Sequence, residues 1–156
     1  MPRFPLLATV DLGSNSFRLQ MCAVEEGQLR IVDSIKEMVR FAAGLDENKN
    51  ITLDAQQRAL KCLSRFGQRL AGFKPEQVRV VATNTFRVAR NIASFLPQAE
   101  EALGFPVEII AGREEARLIY LGVKHTQPPT NDNMLVVDIG VGSTEYVIGN
   151  ALQPDI

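Results

Sequence analysis

The chain has 156 residues, about one domain's worth, of which 46% are hydrophobic and 22% charged. That composition argues against a disordered chain and against a membrane-spanning segment. Its 17 basic and 18 acidic residues leave a net charge of -1, which excludes general nucleic-acid affinity but leaves a local basic cluster able to receive an anion.

Residues 1–10 hold too short an apolar run before Asp11 for a signal peptide, so a cytoplasmic location is expected. Residues 6–10 form an apolar run of strand length, and residues 17–24 resume that pattern. Gly13-Ser14-Asn15-Ser16 between them is turn chemistry, which predicts a hairpin with a polar tip. Residues 28–41 read as a third strand with an extension, and residues 44–50 as a polar loop. Thr52 is the expected N-cap of a helix that carries Leu60, Leu63, Phe66 and Leu70 on one face and stops at Gly72. Gly67 inside it weakens the helix by about 1 kcal/mol. A short strand at 78–82, a helical turn at 85–90 and a helix capped by Ser94 and ending at Leu103 follow, with Pro97 in that helix's first turn. A strand at 106–110 and a helix at 112–123 complete the series, which predicts one mixed sheet flanked by helices. The expected division is a first domain at 1–125, a proline-bearing polar linker at 126–133 and the start of a second domain at 134–156. Cys22 and Cys62 form no metal or redox spacing, so both are expected reduced, buried and inert.

A repeat carries the functional reading. Val10-Asp11-Leu12-Gly13-Ser14-Asn15-Ser16 and Val137-Asp138-Ile139-Gly140-Val141-Gly142-Ser143 share one pattern, and each lies between two strand-like stretches. Such a turn alone is usually only a hairpin; its duplication predicts two related domains facing each other. Glycine and small residues at the tip let backbone N–H groups converge on an anion, and the serine hydroxyl adds a donor. Phosphate is the natural guest. The aspartate ending each first strand would repel it unless a divalent cation lay between them, and Mg²⁺ is the expected mediator.

These two motifs, together with Thr83-Asn84-Thr85-Phe86-Arg87 after a strand and Gly112-Arg113-Glu114-Glu115-Ala116-Arg117 opening a helix, closely resemble the exopolyphosphatase and guanosine pentaphosphate phosphohydrolase family. That family belongs to the actin, sugar kinase and chaperone superfamily. The resemblance covers nearly the whole chain and implies an α/β ribonuclease H-like (actin-like) fold, with a mixed sheet flanked by helices. It implies one complete domain plus the opening hairpin of a second similar one, as an N-terminal fragment of a larger enzyme. Carried over by residue, it makes Glu115 the general base, with Glu114 a less suited neighbour, and Arg87 a phosphate ligand, with Arg90 and Arg18 weaker candidates. It gives phosphate binding to Gly13, Ser14, Asn15, Ser16, Gly140, Gly142, Ser143 and Thr144, and the Mg²⁺ site to Asp11, Asp138 and Glu145. The bland readings are an acidic helix start for the glutamates, a solvated surface group for Arg87 and a solvent-facing strand position for Glu145.

One departure is Val141, where family members carry a third glycine; a position needing positive φ would make valine an obstruction. His125, the sole histidine, has no partner ligands and is expected to be structural. The implied activity is hydrolysis of a terminal phosphoanhydride of inorganic polyphosphate or guanosine pentaphosphate, with these 156 residues alone expected to be inactive. Two rivals stay open: a non-catalytic sensor that binds polyphosphate or guanosine polyphosphates, supported by Val141, and a superfamily kinase using ATP. Unpaired edges on an incomplete second sheet also leave a homodimer open.

Overall fold

The computed structural model describes residues 5–150, and for the backbone also 154–155. By its contacts the chain divides into two units, Met1–Ile109 and Ile110–Ile156.

The first unit is built on β1 (Leu6–Leu12), β2 (Phe17–Glu25), β3 (Gln28–Glu37), β4 (Val78–Ala82) and β5 (Glu108–Ile109), in the sheet order β3-β2-β1-β4-β5. The first three strands form an antiparallel meander, and β4 and β5 join parallel to β1. The crossovers are helical: α1 (Leu53–Arg69) leads to β4, and α2 (Asn84–Val88) followed by α3 (Ile92–Leu103) leads to β5. Glu26 and Gly27, with φ of 51° and 79°, make the tight β2–β3 turn, which matches strand twist only with positive φ. One sheet face presents Ala8, Val10, Leu12, Phe17, Leu19, Val80 and Ala82 to the buried sides of α1 and α3, and this is the main core. Thr52 caps α1 as expected, its hydroxyl accepting from the Ala55 N–H.

Three local expectations are corrected. The third strand ends at Glu37 because β2 begins at Phe17, its pairing partner, so residues beyond Glu37 have no strand to join. Val39 and Phe41 instead turn into the core. The 106–110 strand shrinks to two residues: Pro106 has no N–H, and the Val107 N–H donates to the Glu100 carboxylate at 2.8 Å. Helix α3 starts two residues before Ser94, whose hydroxyl donates to the Asn91 carbonyl at 2.9 Å, so Asn91 is the N-cap position and Pro97 lies inside the helix. Asn91 is spoken for elsewhere, exchanging two side-chain bonds with the Ile51 backbone at 2.8 and 2.9 Å.

The second unit contains α4 (Gly112–Thr126) and a sheet of β6 (Met134–Ile139), β7 (Thr144–Gly149) and β8 (Pro154–Asp155), in sequential order. Ala116 and Tyr120 of α4 bury against Val136 and Val147, and the Tyr120 hydroxyl donates to the Asn150 carbonyl at 2.7 Å. Helix α4 therefore clusters with the second hairpin, whereas the sequence division placed it with the first domain; residues 127–133 connect elements of one unit. The opposite hairpin face is open, with Leu135, Ile139 and Tyr146 exposed at 60%, 79% and 68%. By the repeat these positions correspond to Ala8, Leu12 and Leu19, which α1 and α3 bury. The second hairpin thus repeats the opening of the first domain without its helical cover.

Candidate phosphate-binding site

Both polar tips fold as the repeat implies, with one geometry. In the first, the Gly13 N–H donates to the Ser16 carbonyl at 3.2 Å, closing a four-residue loop between the paired Leu12 and Phe17. In the second, the Gly140 N–H donates to the Ser143 carbonyl at 2.9 Å between the paired Ile139 and Thr144. A Cβ on Gly13 or Gly140 would lie 2.9 or 3.1 Å from that same carbonyl oxygen, so closure of each loop favours glycine there. Among the described residues none accepts a hydrogen bond from the N–H groups of Ser14, Asn15 and Ser16, or from those of Val141, Gly142 and Ser143. Successive N–H groups left without protein acceptors are what an anion-binding loop offers. Val141 lies outside the positive-φ region and its side chain is 70% exposed, so valine neither strains nor fills the second loop.

The first loop is held from two sides. The Arg40 and Ala42 N–H groups donate to the Asn15 and Ser14 carbonyls at 2.7 and 2.8 Å, with Arg40 at a φ of 52°. From the other side, β4 lies parallel beside β1 and delivers α2 to the loop. The buried Thr85 hydroxyl donates to the Ser14 hydroxyl at 2.7 Å, and half-buried Arg87 follows two residues later. Phe17, Phe41 and Phe86 adjoin these three segments and pack in edge-on and tilted contacts with centroids 4.9 to 6.2 Å apart, so loop, clamp and α2 share one aromatic anchor. The clamp at 40–42 was missed in the sequence; Thr85 stood there only as part of the Thr83-Asn84-Thr85-Phe86-Arg87 motif, with no role given to it.

Asp11 and Arg18 are direct cross-strand partners and both are exposed, on the face opposite the core. Arg90 is exposed, its N–H donating to the Lys49 carbonyl at 2.9 Å.

In the second unit, Asp138 and Glu145 are also direct cross-strand partners, on the face that carries Val136 and Val147. Glu145 is buried rather than solvent-facing, and Asp138 is exposed. The C-terminal half of α4 lies by Met134 and Asn150, where Tyr120 and Lys124 help line a cavity. Its N-terminal turn, with Glu114 and Glu115, is therefore directed toward the end of the hairpin that carries the second loop. Both Glu114 carboxylate oxygens accept from Arg117, at 2.7 and 2.8 Å, and this bond raises the Arg117 pKa. Among the described residues no group of three or more His, Cys, Asp or Glu could hold a metal ion. His125 is exposed near the end of α4.

Away from the loops, hydrogen bonding to Arg65 holds the Glu37 carboxyl below the ordinary carboxylate range. Burial, then the nearby Glu37 charge, pushes the Cys62 thiol up to about 12. Both cysteines are free, but only Cys62 is buried as expected; Cys22 is half-buried, and burial raises its thiol pKa.

A model of the Ppx/GppA phosphatase family matches residues 21–156. The chain belongs to this family. A PPX-GPPA enzyme of Aquifex aeolicus is 31% identical with a TM-score of 0.85, over 97% of this chain and 51% of its own. An exopolyphosphatase from Cytophaga hutchinsonii is 28% identical with a TM-score of 0.89, over 97% of this chain and 49% of its own. The ethanolamine utilization protein EutJ of Carboxydothermus hydrogenoformans, 14% identical with a TM-score of 0.52, shares the fold alone, over 100% of this chain and 51% of its own. The chain spans about half the length of these structures. The fold is the actin-like, ribonuclease H-like one that the family has, with a five-stranded mixed sheet flanked by helices. Among the described residues no helix is long and apolar enough to cross a membrane.

Proposed function

We propose that a protein of this family carrying these residues hydrolyses a terminal phosphoanhydride of inorganic polyphosphate or guanosine pentaphosphate, releasing orthophosphate with water as nucleophile. The observation that carries this reading is the duplicated loop: one Gly-to-Ser closing bond and one row of three N–H groups without an acceptor among the described residues recur at 13–16 and 140–143. Phosphoryl transfer needs mainly positioning and charge stabilisation, which such loops supply.

The first unit's share is the N–H row of its loop, the Ser14 and Ser16 hydroxyls and the Arg87 guanidinium, whose fork suits phosphate oxygens. The second unit's share is the loop from Gly140 to Thr144 and Glu115, which accepts a proton from the attacking water as it develops charge. Asp138 and Glu145 put two carboxylates on one strand face, a hard-oxygen pair that fits Mg²⁺, which takes one or two carboxylates and fills its remaining positions with water and substrate phosphates. Bound there, the ion would offset phosphate charge at the second loop; Asp11 is the corresponding candidate beside the first. The exposed side chain of Val141 supports a working second loop and so favours the hydrolase over the sensor reading.

The test is orthophosphate release from polyphosphate and from guanosine pentaphosphate, with Mg²⁺ and with chelator, by a protein at the length of the family's structures. Metal-dependent release from one substrate assigns it. Release from neither, with both bound, would move the function to a sensor.

A further inference from the structure

The contact between Thr85 and Ser14 does more than fill space. Both residues are buried, Thr85 1% and Ser14 9% exposed, and their hydroxyls lie 2.7 Å apart although the residues are 71 positions apart in the chain. Valine would occupy the volume of Thr85 with no polar atom to satisfy, so the hydroxyl is the chemically specific part of the position. Its partner sits in the loop whose N–H groups at 14–16 find no acceptor among the described residues. A hydroxyl that accepts one bond keeps its own proton to donate, and a donor fixed by such a bond is oriented before the anion arrives.

We infer that Thr85 is a positioning residue for phosphate binding: its O–H donates to the Ser14 hydroxyl oxygen and thereby turns the Ser14 proton toward a phosphate oxygen in the first loop. The inference rests on the reading of that loop as a phosphate site. Thr85 itself does not touch the substrate. Helix α2 places Thr85 by two independent anchors, Phe86 in the aromatic cluster and β4 paired beside β1, so the hydroxyl arrives at the loop with little freedom. Removing the hydroxyl leaves the fold its packing and leaves Ser14 free to rotate, and loss of one oriented bond to a charged group weakens binding about tenfold or more.

The test measures binding of inorganic tripolyphosphate by calorimetry, beside orthophosphate release, for the whole protein and its Thr85→Val, Thr85→Ser, Ser14→Ala and Ser14→Ala/Thr85→Val variants. Thr85→Val is expected to raise the Kd about tenfold, Thr85→Ser to restore it to within about twofold of wild type, and the double variant to bind no worse than Ser14→Ala. That non-additivity separates action through Ser14 from a general packing role, which would persist in the Ser14→Ala background. Wild-type affinity in Thr85→Val, or an undiminished Thr85→Val effect when Ser14 is already alanine, overturns the inference. Tripolyphosphate binding with no orthophosphate release from it or from guanosine pentaphosphate would refute the hydrolase reading while leaving the Thr85 comparison intact; no binding of either by wild type would refute both.

Discussion

Gly67 sets two effects of opposite sign against each other. By helix propensity, replacing a mid-helix glycine with alanine stabilises by about 1 kcal/mol. In the fold, however, an alanine Cβ would lie 2.7 Å from the Leu103 carbonyl oxygen and 2.8 Å from that of Ala102, where α1 crosses α3. Even close C–H···O contacts keep about 3.3 Å or more between carbon and oxygen, so the helices must part by roughly half an ångström. A gap of that size forfeits roughly a quarter of the dispersion energy of each contact it opens, and overpacking a core costs about 1–3 kcal/mol. Packing should win, and Gly67→Ala should lose a net of about 1–2 kcal/mol, a fall in Tm of roughly 3–8 °C for a chain this size. The control is Gly122→Ala in α4, where a Cβ meets nothing within 4 Å and propensity acts alone. Thermal unfolding followed by far-UV circular dichroism reads both. A Gly67→Ala protein stabilised as much as Gly122→Ala would refute the close crossing of α1 and α3.

Val141→Gly should leave tripolyphosphate affinity within about twofold and lower stability by no more than about 1 kcal/mol; tenfold tighter binding would show that valine obstructs the second loop. The Glu37–Arg65 pair should appear as a pH effect. A carboxyl held below its ordinary value contributes stability that is present above about pH 4.3 and lost as pH falls through the lower folded value. Glu37→Gln should therefore cost about 0.5–1 kcal/mol at neutral pH, little because Arg65 is largely exposed, with the deficit closing toward pH 3. A deficit that widens in acid, by urea titration at each pH, would contradict the pairing.

What sequence reading recovered is what neighbouring residues determine. The two hairpins follow from local apolar runs and glycine turns, and they fold with matching loop closure at Gly13 and Gly140. Thr52 capped α1 where expected because a cap acts over three residues. What it missed depends on partners far along the chain. Asn91 precedes α3 with its side chain tied to Ile51, 40 residues away, which no local cap rule registers. Gly67 looks like a weak helix position until Leu103 is set against it, and Thr85 looks like one more small polar residue until Ser14 is. The grouping of α4 with the second hairpin was hidden in the same way, because its apolar face only acquires meaning from Val136 and Val147. At the site, the motif resemblance singled out Glu115, while the bidentate bond from Arg117 to Glu114 had no signal in it.

In the proposed mechanism Glu115 activates water for attack on a terminal phosphate. Its most direct test compares wild type with Glu115→Gln, in a protein at the length of the family's structures, for both tripolyphosphate affinity and orthophosphate release. Affinity kept within a few-fold while release falls by about 10²–10⁴-fold is the predicted result. Release that survives the substitution would contradict the account.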